Sequence, residues 1–338
     1  MANNKDHQNN FTLLRLLLAV MIVITHSYGI TGHGHDHLFS AGNKMWGSVR
    51  LNMFFFISGF LVTRSALTSK KIIPFLLKRV LRIYPALIIL VLFSIYIVGP
   101  LFSTFNWRSY FIQHQTWKYF FTASGFHIEY YLPGLFQLNP SRVVNASLWT
   151  LTLELKLYLL VAFCVVSGFL FTRFYKWFAL VTAAIFLLLA IKDFEIEGTA
   201  YGARIWSLMA IYQFGSALQV MKLHTKQVLV LLGISLVFIS LRSLSIIPVR
   251  IYVDELIFFS SLTWLLAYYP RLNFKLKNDY SYGLYLYAFP IQQILIQLSE
   301  NKMHPAINIL LTIMIAGCLA MLSWKYIEKP ILDLKKYL

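Results

Sequence analysis

Ten apolar runs, each about twenty residues long, the length that crosses a hydrocarbon core as a helix, set what this chain can fold into. They cover residues 11–30, 46–66, 83–103, 147–170, 176–192, 201–221, 227–243, 252–269, 281–298 and 306–324. In lipid, backbone N–H and C=O groups must find partners within the protein, so such runs predict helices and an all-α polytopic membrane protein. Composition agrees: 58% of residues are hydrophobic and 13% charged, about half the usual soluble share, with a mean hydropathy of +0.65. No small-residue cleavage site follows Phe11–Ile30, which therefore reads as a retained span rather than a signal peptide. Cys164 and Cys318 lie in separate apolar runs and read as packing thiols without a disulfide or metal message.

The charges sort by side of the membrane. With the N-terminus placed in the cytoplasm, inner segments hold 18 of the 30 Lys and Arg residues and outer segments eight, while Arg15, Arg50, Lys156 and Arg204 lie at membrane depth. That bias predicts both termini in the cytoplasm. It also accounts for the net charge of +17 without nucleic acid, because no contiguous soluble basic domain exists to bind one. No internal repeat and no appended soluble domain is visible, so residues 1–338 read as a single membrane domain. The longest stretch between spans, Thr104–Ala146, is expected outside. It is rich in aromatics such as Trp107, Trp117, Phe121 and Tyr131, which suit an interfacial belt, a fold back towards the membrane, or stacking on sugar rings.

Within the first run stand Arg15 and His26. A charge inside a bilayer costs roughly 2.5 kcal/mol or more, so it is rarely kept without a task. Eleven residues at ~100° each return to within ~20° of the start, placing both groups on one helix face about 16 Å apart. Glu154 is a carboxylate well inside the fourth run, in the outer half of the bilayer as His26 is, so the two can share a depth. Tyr158 lies one turn further along the same face, whereas Lys156, two residues from Glu154, points elsewhere. Lys78, Arg79 and Arg82 cluster at the cytoplasmic start of the third run, where guanidinium groups suit phosphate and equally suit anionic lipid.

Six phrases together carry a resemblance. They are Arg15 with His26 in the first run, Phe54-Phe55-Phe56-Ile57-Ser58-Gly59-Phe60-Leu61, Lys78-Arg79-Val80-Leu81-Arg82-Ile83-Tyr84-Pro85, Ser147-Leu148-Trp149-Thr150-Leu151-Thr152-Leu153-Glu154, Ser281-Tyr282-Gly283-Leu284-Tyr285-Leu286, and Tyr326-Ile327-Glu328-Lys329-Pro330. In this order, over residues 11–330, they resemble the acyltransferase-3 family of bacterial membrane O-acyltransferases. The resemblance implies a multi-pass protein of the bacterial inner membrane. Its implied reaction moves an acyl group, usually acetyl, from cytosolic acetyl-CoA to a hydroxyl of a cell-surface saccharide, without a metal.

On that chemistry His26 is the candidate base, since an imidazole is largely neutral at pH 7 in an ordinary environment. Glu154 orients it or binds the acceptor, with Tyr158 at the same site; the alternative for Glu154 is a polar clamp between helices. Lys78, Arg79 and Arg82 are the candidates for the CoA phosphates, with Arg15 assisting at the inner mouth. Arg50 and Asn52, near the outer end of the second run, are candidate oxyanion or acceptor contacts or interfacial anchors. Gly32-His33-Gly34-His35-Asp36-His37 has the look of a metal loop but reads more simply as a solvated turn. Ala288 stands where many relatives have His. The competing function classes are a transporter, whose path intramembrane Arg, His and Glu can also line, and a non-catalytic partner in an envelope complex. Only the acyltransferase reading requires CoA.

Overall fold

The computed structural model describes residues 10–33, 49–195, 200–244, 253–268, 276 and 278–334. They form α1 (Phe11–Ile30), α2 (Val49–Ser69), α3 (Ile72–Phe93), α4 (Trp107–Ile112), α5 (His114–Lys118), α6 (Trp149–Val166), α7 (Tyr175–Glu195), α8 (Ala200–Met221), α9 (Thr225–Ser243), α10 (Val253–Tyr268), α11 (Ser281–Leu298) and α12 (Pro305–Ser323). Among the described residues the only β pairing is an isolated bridge, Ser103 to Leu135. The chain is an all-α polytopic membrane protein. Among the described residues, six helical segments are long and apolar enough to cross a bilayer: Phe11–Ile30, Val49–Ser69, Ile72–Phe102, Ala146–Val166, Tyr175–Asp193 and Pro305–Asp333. Helices α8 to α11 lie where the remaining four runs predict them. Two of these are diluted by polar groups turned inward: Gln213 and Ser216 on α8, and Gln292 and Gln293 on α11, all fully buried.

The third span begins earlier than expected. Helix α3 starts at Ile72 rather than 83, so Lys78, Arg79 and Arg82 ride on the spanning helix itself. Lys and Arg are good helix formers and can lay their stems along apolar surface, which removes any local reason to break there. A π turn at Ser94–Val98 carries the helix on to Phe102, and another at Trp324–Glu328 extends α12. Each ends two residues before a proline, Pro100 and Pro330, whose missing N–H already interrupts the hydrogen-bond ladder.

The helices group into two compact units built from interleaved segments: Met1–Leu14, Ser48–Phe75 and Lys156–Leu276 in the first, Arg15–Gly47, Leu76–Leu155 and Lys277–Leu338 in the second. In the first unit, α2 and α8 cross at a pair of glycines. A Cβ on Gly59 would stand 2.0 Å from the Tyr212 carbonyl oxygen, and one on Gly215 would stand 2.6 Å from that of Phe56. Beside this crossing, Thr63 Oγ1 and Tyr175 Oη meet Ser216 Oγ at 2.6 and 2.8 Å. Small residues allow this approach, and in lipid close packing is what holds helices together. Gly59→Leu is therefore expected to cost at least about 1–3 kcal/mol, read as a lower unfolding temperature in detergent.

In the second unit the stretch between α3 and α6 folds back along those two helices. It leaves α3 at Ser103, passes through α4 and α5, and descends as a 3₁₀ turn at Tyr119–Ser124 to Gly125, which has φ +71°. There the Tyr84 hydroxyl donates to the Ser124 carbonyl and the Thr152 hydroxyl to that of Gly125, each at 2.9 Å. Thr152 lies five residues inside α6 from Ser147, about 8 Å along the axis. This is irregular backbone anchored to the flanking helices. Of the aromatics, Trp107, Phe121 and Tyr131 are exposed, while the Trp117 and Phe120 rings stack 6.0 Å apart.

Candidate active site

A file of polar side chains runs through the second unit along one face of α11, where Tyr282, Tyr285, Phe289 and Gln292 recur at helical spacing. At one end stands His26. Its Nδ1 lies 3.5 Å from the Ser147 hydroxyl, and its ring meets the edge of Phe289 at 5.2 Å. The rotation of α1 is fixed one residue later. Gln292 Nε2 donates to Ser27 Oγ at 2.6 Å and to the Val23 carbonyl at 2.8 Å, and the Ser27 hydroxyl reaches Asn308 Oδ1 at 2.9 Å. All three polar side chains are fully buried, so this lock stands in low dielectric where its bonds are strongest.

Ser147 is held as firmly. Pro290 has no N–H, which orphans the Leu286 carbonyl in the middle of α11, and Asn145 Nδ2 donates to that carbonyl at 2.9 Å. Asn145 Oδ1 in turn accepts the Ser147 N–H at 3.0 Å, capping the 3₁₀ turn Ala146–Leu148 that leads into α6. The Tyr285 hydroxyl donates to the Ser147 carbonyl and accepts from Thr150 Oγ1 at 2.6 Å. One turn beyond Thr150 comes Glu154, half-buried, which acts electrostatically on both Tyr282 and Tyr285.

The other end of the file is a four-membered charge cluster. Arg15 Nη1 and Arg82 Nη2 both donate to Asp279 Oδ2, at 3.0 and 2.6 Å, and Arg82 Nη1 lies 3.5 Å from Glu328 Oε2. Ser281 supports Asp279 through its hydroxyl at 2.5 Å and its N–H at 3.2 Å. Ser323 Oγ donates to Glu328 Oε1 at 3.1 Å. The Arg82 guanidinium also lies over the rings of Tyr282 and Trp324, 5.6 and 5.8 Å from their centroids. The π turn before Pro330 turns Glu328 inward, leaving it 1% exposed, and Gly283 lets α11 approach α12 closely, since a Cβ there would stand 3.0 Å from Ala320.

The structure thus sorts the residues expected from the sequence. Arg15 and His26 face the same helix from the two ends of the file, as their spacing requires. Arg15 and Arg82, assigned to different spans, converge on one carboxylate. Lys78 and Arg79 are half-buried about one turn nearer the start of α3 than Arg82. At the level of His26 the α6 segment presents Ser147; Glu154 is two turns, ~10 Å, closer to the charge cluster. Arg50, Asn52 and Tyr158 belong to the first unit, where Asn52 and Tyr158 are buried. Ala288 is buried against its neighbours on α11. His33 Nδ1 lies 3.0 Å from the Thr31 carbonyl oxygen, while His35 and His37 fall outside the described residues. Among the described residues no three metal-ligating side chains come together.

Several members of the file were not singled out from the sequence. Ser147, Tyr285 and Glu328 fall inside motif phrases but drew no role, and Asp279 stands two residues before one. Gln292 and Asn308 are lone amides in apolar runs, a signal that an intramembrane polar group has a partner.

A family model described as an acyltransferase domain matches residues 8–327. The chain is 27% identical to a protein named O-acetyl transferase from Shigella phage Sf6, over 96% of this chain and 97% of that one. It is 29% identical to nodulation protein 10 of Rhizobium leguminosarum bv. viciae, over 98% and 95% respectively. No solved structure matches it.

Proposed function

Because the chain belongs to the acyltransferase-3 family of integral-membrane O-acyltransferases, we propose that it transfers an acetyl group from cytosolic acetyl-CoA to a hydroxyl of a cell-surface saccharide, with His26 as general base. The observation that carries this reading is the polar file itself, which joins a half-buried imidazole at one end to a cluster of guanidinium groups at the other inside a single compact unit. The positive-inside bias puts the guanidinium end towards the cytoplasm, where acyl-CoA is found, and His26 towards the outer face, where the acceptor arrives. The protein then sits in the inner membrane of a bacterial envelope.

The chemistry follows from the imidazole. A neutral His26 takes the proton of the acceptor hydroxyl as its oxygen attacks the thioester carbonyl. The C–O bond forms, the C–S bond breaks, and the leaving thiolate recovers the proton from the imidazolium, so no charge is left on the enzyme. Glu154, midway along the file, is proposed to orient His26 or to bind the acceptor. Arg50, Asn52 and Tyr158 are proposed acceptor contacts on their sequence positions alone.

Lys78, Arg79 and Arg82, with Arg15 assisting at the inner mouth, are the proposed contacts for the CoA phosphates. Arg82 and Arg15 face two carboxyl groups, and Lys78 and Arg79 stand half-buried about one turn nearer the start of α3. A lost charge-assisted hydrogen bond is worth about 1.5–3 kcal/mol. Arg79→Gln should therefore weaken CoA binding by roughly tenfold or more, measured by calorimetry on nanodisc-held protein. Unchanged affinity would assign Arg79 to lipid anchoring. The function as a whole is tested by incubating the purified protein with radiolabelled acetyl-CoA and an envelope glycan extract. Label on the glycan supports the reading; a folded protein that neither transfers label nor binds CoA would move it to the transporter class.

A further inference from the structure

The reading of His26 as base leaves one requirement unmet. An imidazole has two nitrogens, and it can accept a proton at one only if the other holds its hydrogen. In established acid–base sites a third group fixes that choice by accepting the N–H at the far nitrogen. Ser147 occupies that place. Its hydroxyl is 3.5 Å from His26 Nδ1, long for a hydrogen bond, as catalytic contacts commonly are before substrate tightens them. The hydroxyl sits on a fixed perch. The Ser147 N–H is held by Asn145, its carbonyl accepts the Tyr285 hydroxyl, and Asn145 is tied to the carbonyl that Pro290 frees in α11. On the imidazole side, Phe289 packs the ring and the Ser27 lock sets the rotation of α1. At 4% exposure Ser147 is itself nearly closed off, a poor position for a group that must carry an acyl chain but a good one for a group that only holds a ring.

We propose that Ser147 is the positioning residue of the proposed transfer site. Its hydroxyl accepts Nδ1–H of His26 and so assigns the tautomer in which Nε2 faces the reacting hydroxyl. Ser147 acts through His26 and touches neither substrate. The inference rests on His26 being the base.

The test compares wild type, Ser147→Ala, Ser147→Thr and His26→Ala in nanodiscs, using acetyl-CoA and the glycan extract. Ser147→Ala is expected to lower kcat about 10- to 100-fold with KM for acetyl-CoA within twofold, and to move the acidic limb of the kcat/KM pH profile, which reports the free enzyme's essential base. Ser147→Thr, which keeps the hydroxyl, should recover most of the rate. If the alanine variant does not fold, Ser147→Cys, similar in size but a weak acceptor, should show the same displaced pH limb at reduced kcat. Unchanged kcat and pH profile in Ser147→Ala or Ser147→Cys, beside an inactive His26→Ala, would overturn the proposal and leave the base assignment standing. An active His26→Ala enzyme would overturn the base assignment instead. Label retained covalently on denatured wild type incubated without acceptor, and absent from Ser147→Ala, would also overturn it, by making Ser147 the acyl carrier.

Discussion

Replacing His26 by alanine is expected to lower acetyl transfer by about 10²- to 10⁴-fold, the range over which a positioned general base contributes, while the protein stays folded. In barrier terms this is about 3–5 kcal/mol. Retention of the fold follows from where α1 is held. The bonds that fix its rotation run through Ser27 to Gln292 and Asn308, and the anchor at its other end is the Arg15 contact to Asp279; neither uses the imidazole. The half-buried ring makes an edge contact to Phe289 and a long contact to Ser147. The measurement is label transfer by wild type and variant at matched monodispersity and matched CoA affinity. A variant with near wild-type turnover would defeat the assignment.

Replacing Asp279 by alanine should have the largest effect on stability of any single change in the second unit. It leaves Arg15 and Arg82 facing each other without the carboxylate they share, and it removes the oxygen that accepts both the N–H and the hydroxyl of Ser281 at the start of α11. Breaking a buried ion pair from one side costs about 3–5 kcal/mol. The low end, about 3 kcal/mol, is expected because the Asp279 side chain keeps 17% exposure. The effect on pH dependence has a definite sign. Burial opposes ionisation of Asp279, but the Arg15 and Arg82 guanidinium groups and the Ser281 hydrogen bonds outweigh it and hold the carboxyl well below the usual carboxylate range. A depressed folded-state value makes the contribution fully present above the unfolded value, about pH 4. It fades as pH falls through the folded value. Wild-type unfolding temperature should thus owe nothing to Asp279 titration between about pH 5 and 8. Asp279→Ala should lie below it by a constant margin there, and the gap should close only in strong acid. A margin that varied across neutral pH would sink this account.

Much of the fold was legible because helix formation in lipid is a local matter. A run such as Phe11–Ile30 has its length, its apolar side chains and its need for internal backbone bonding written in twenty consecutive residues. The same periodicity put Arg15 and His26 on one face, and the structure has both turned to α11. The failures were of other kinds. The true start of α3 at Ile72 was hidden because charged residues that mark a membrane boundary are also good helix formers. The descent of the outer stretch to Gly125 depends on hydrogen bonds to Tyr84 and Thr152, which nothing in the stretch itself announces.

For the site, the sequence by itself determined which chemical groups the apolar helices carry and on which helix each rides: an imidazole, a carboxylate, and guanidinium groups. Only the tertiary structure decided how they are paired. Asp279 meets Arg15 across 264 residues and Arg82 across 197, and Ser147 meets His26 across 121. Such pairings depend on the rotation and register of whole helices. Those are set by a proline that frees one carbonyl, by a glycine that lets two helices approach, and by amides that lock one turn. The energy of each is small and the geometry is shared among distant segments, so no local pattern in the chain encodes it.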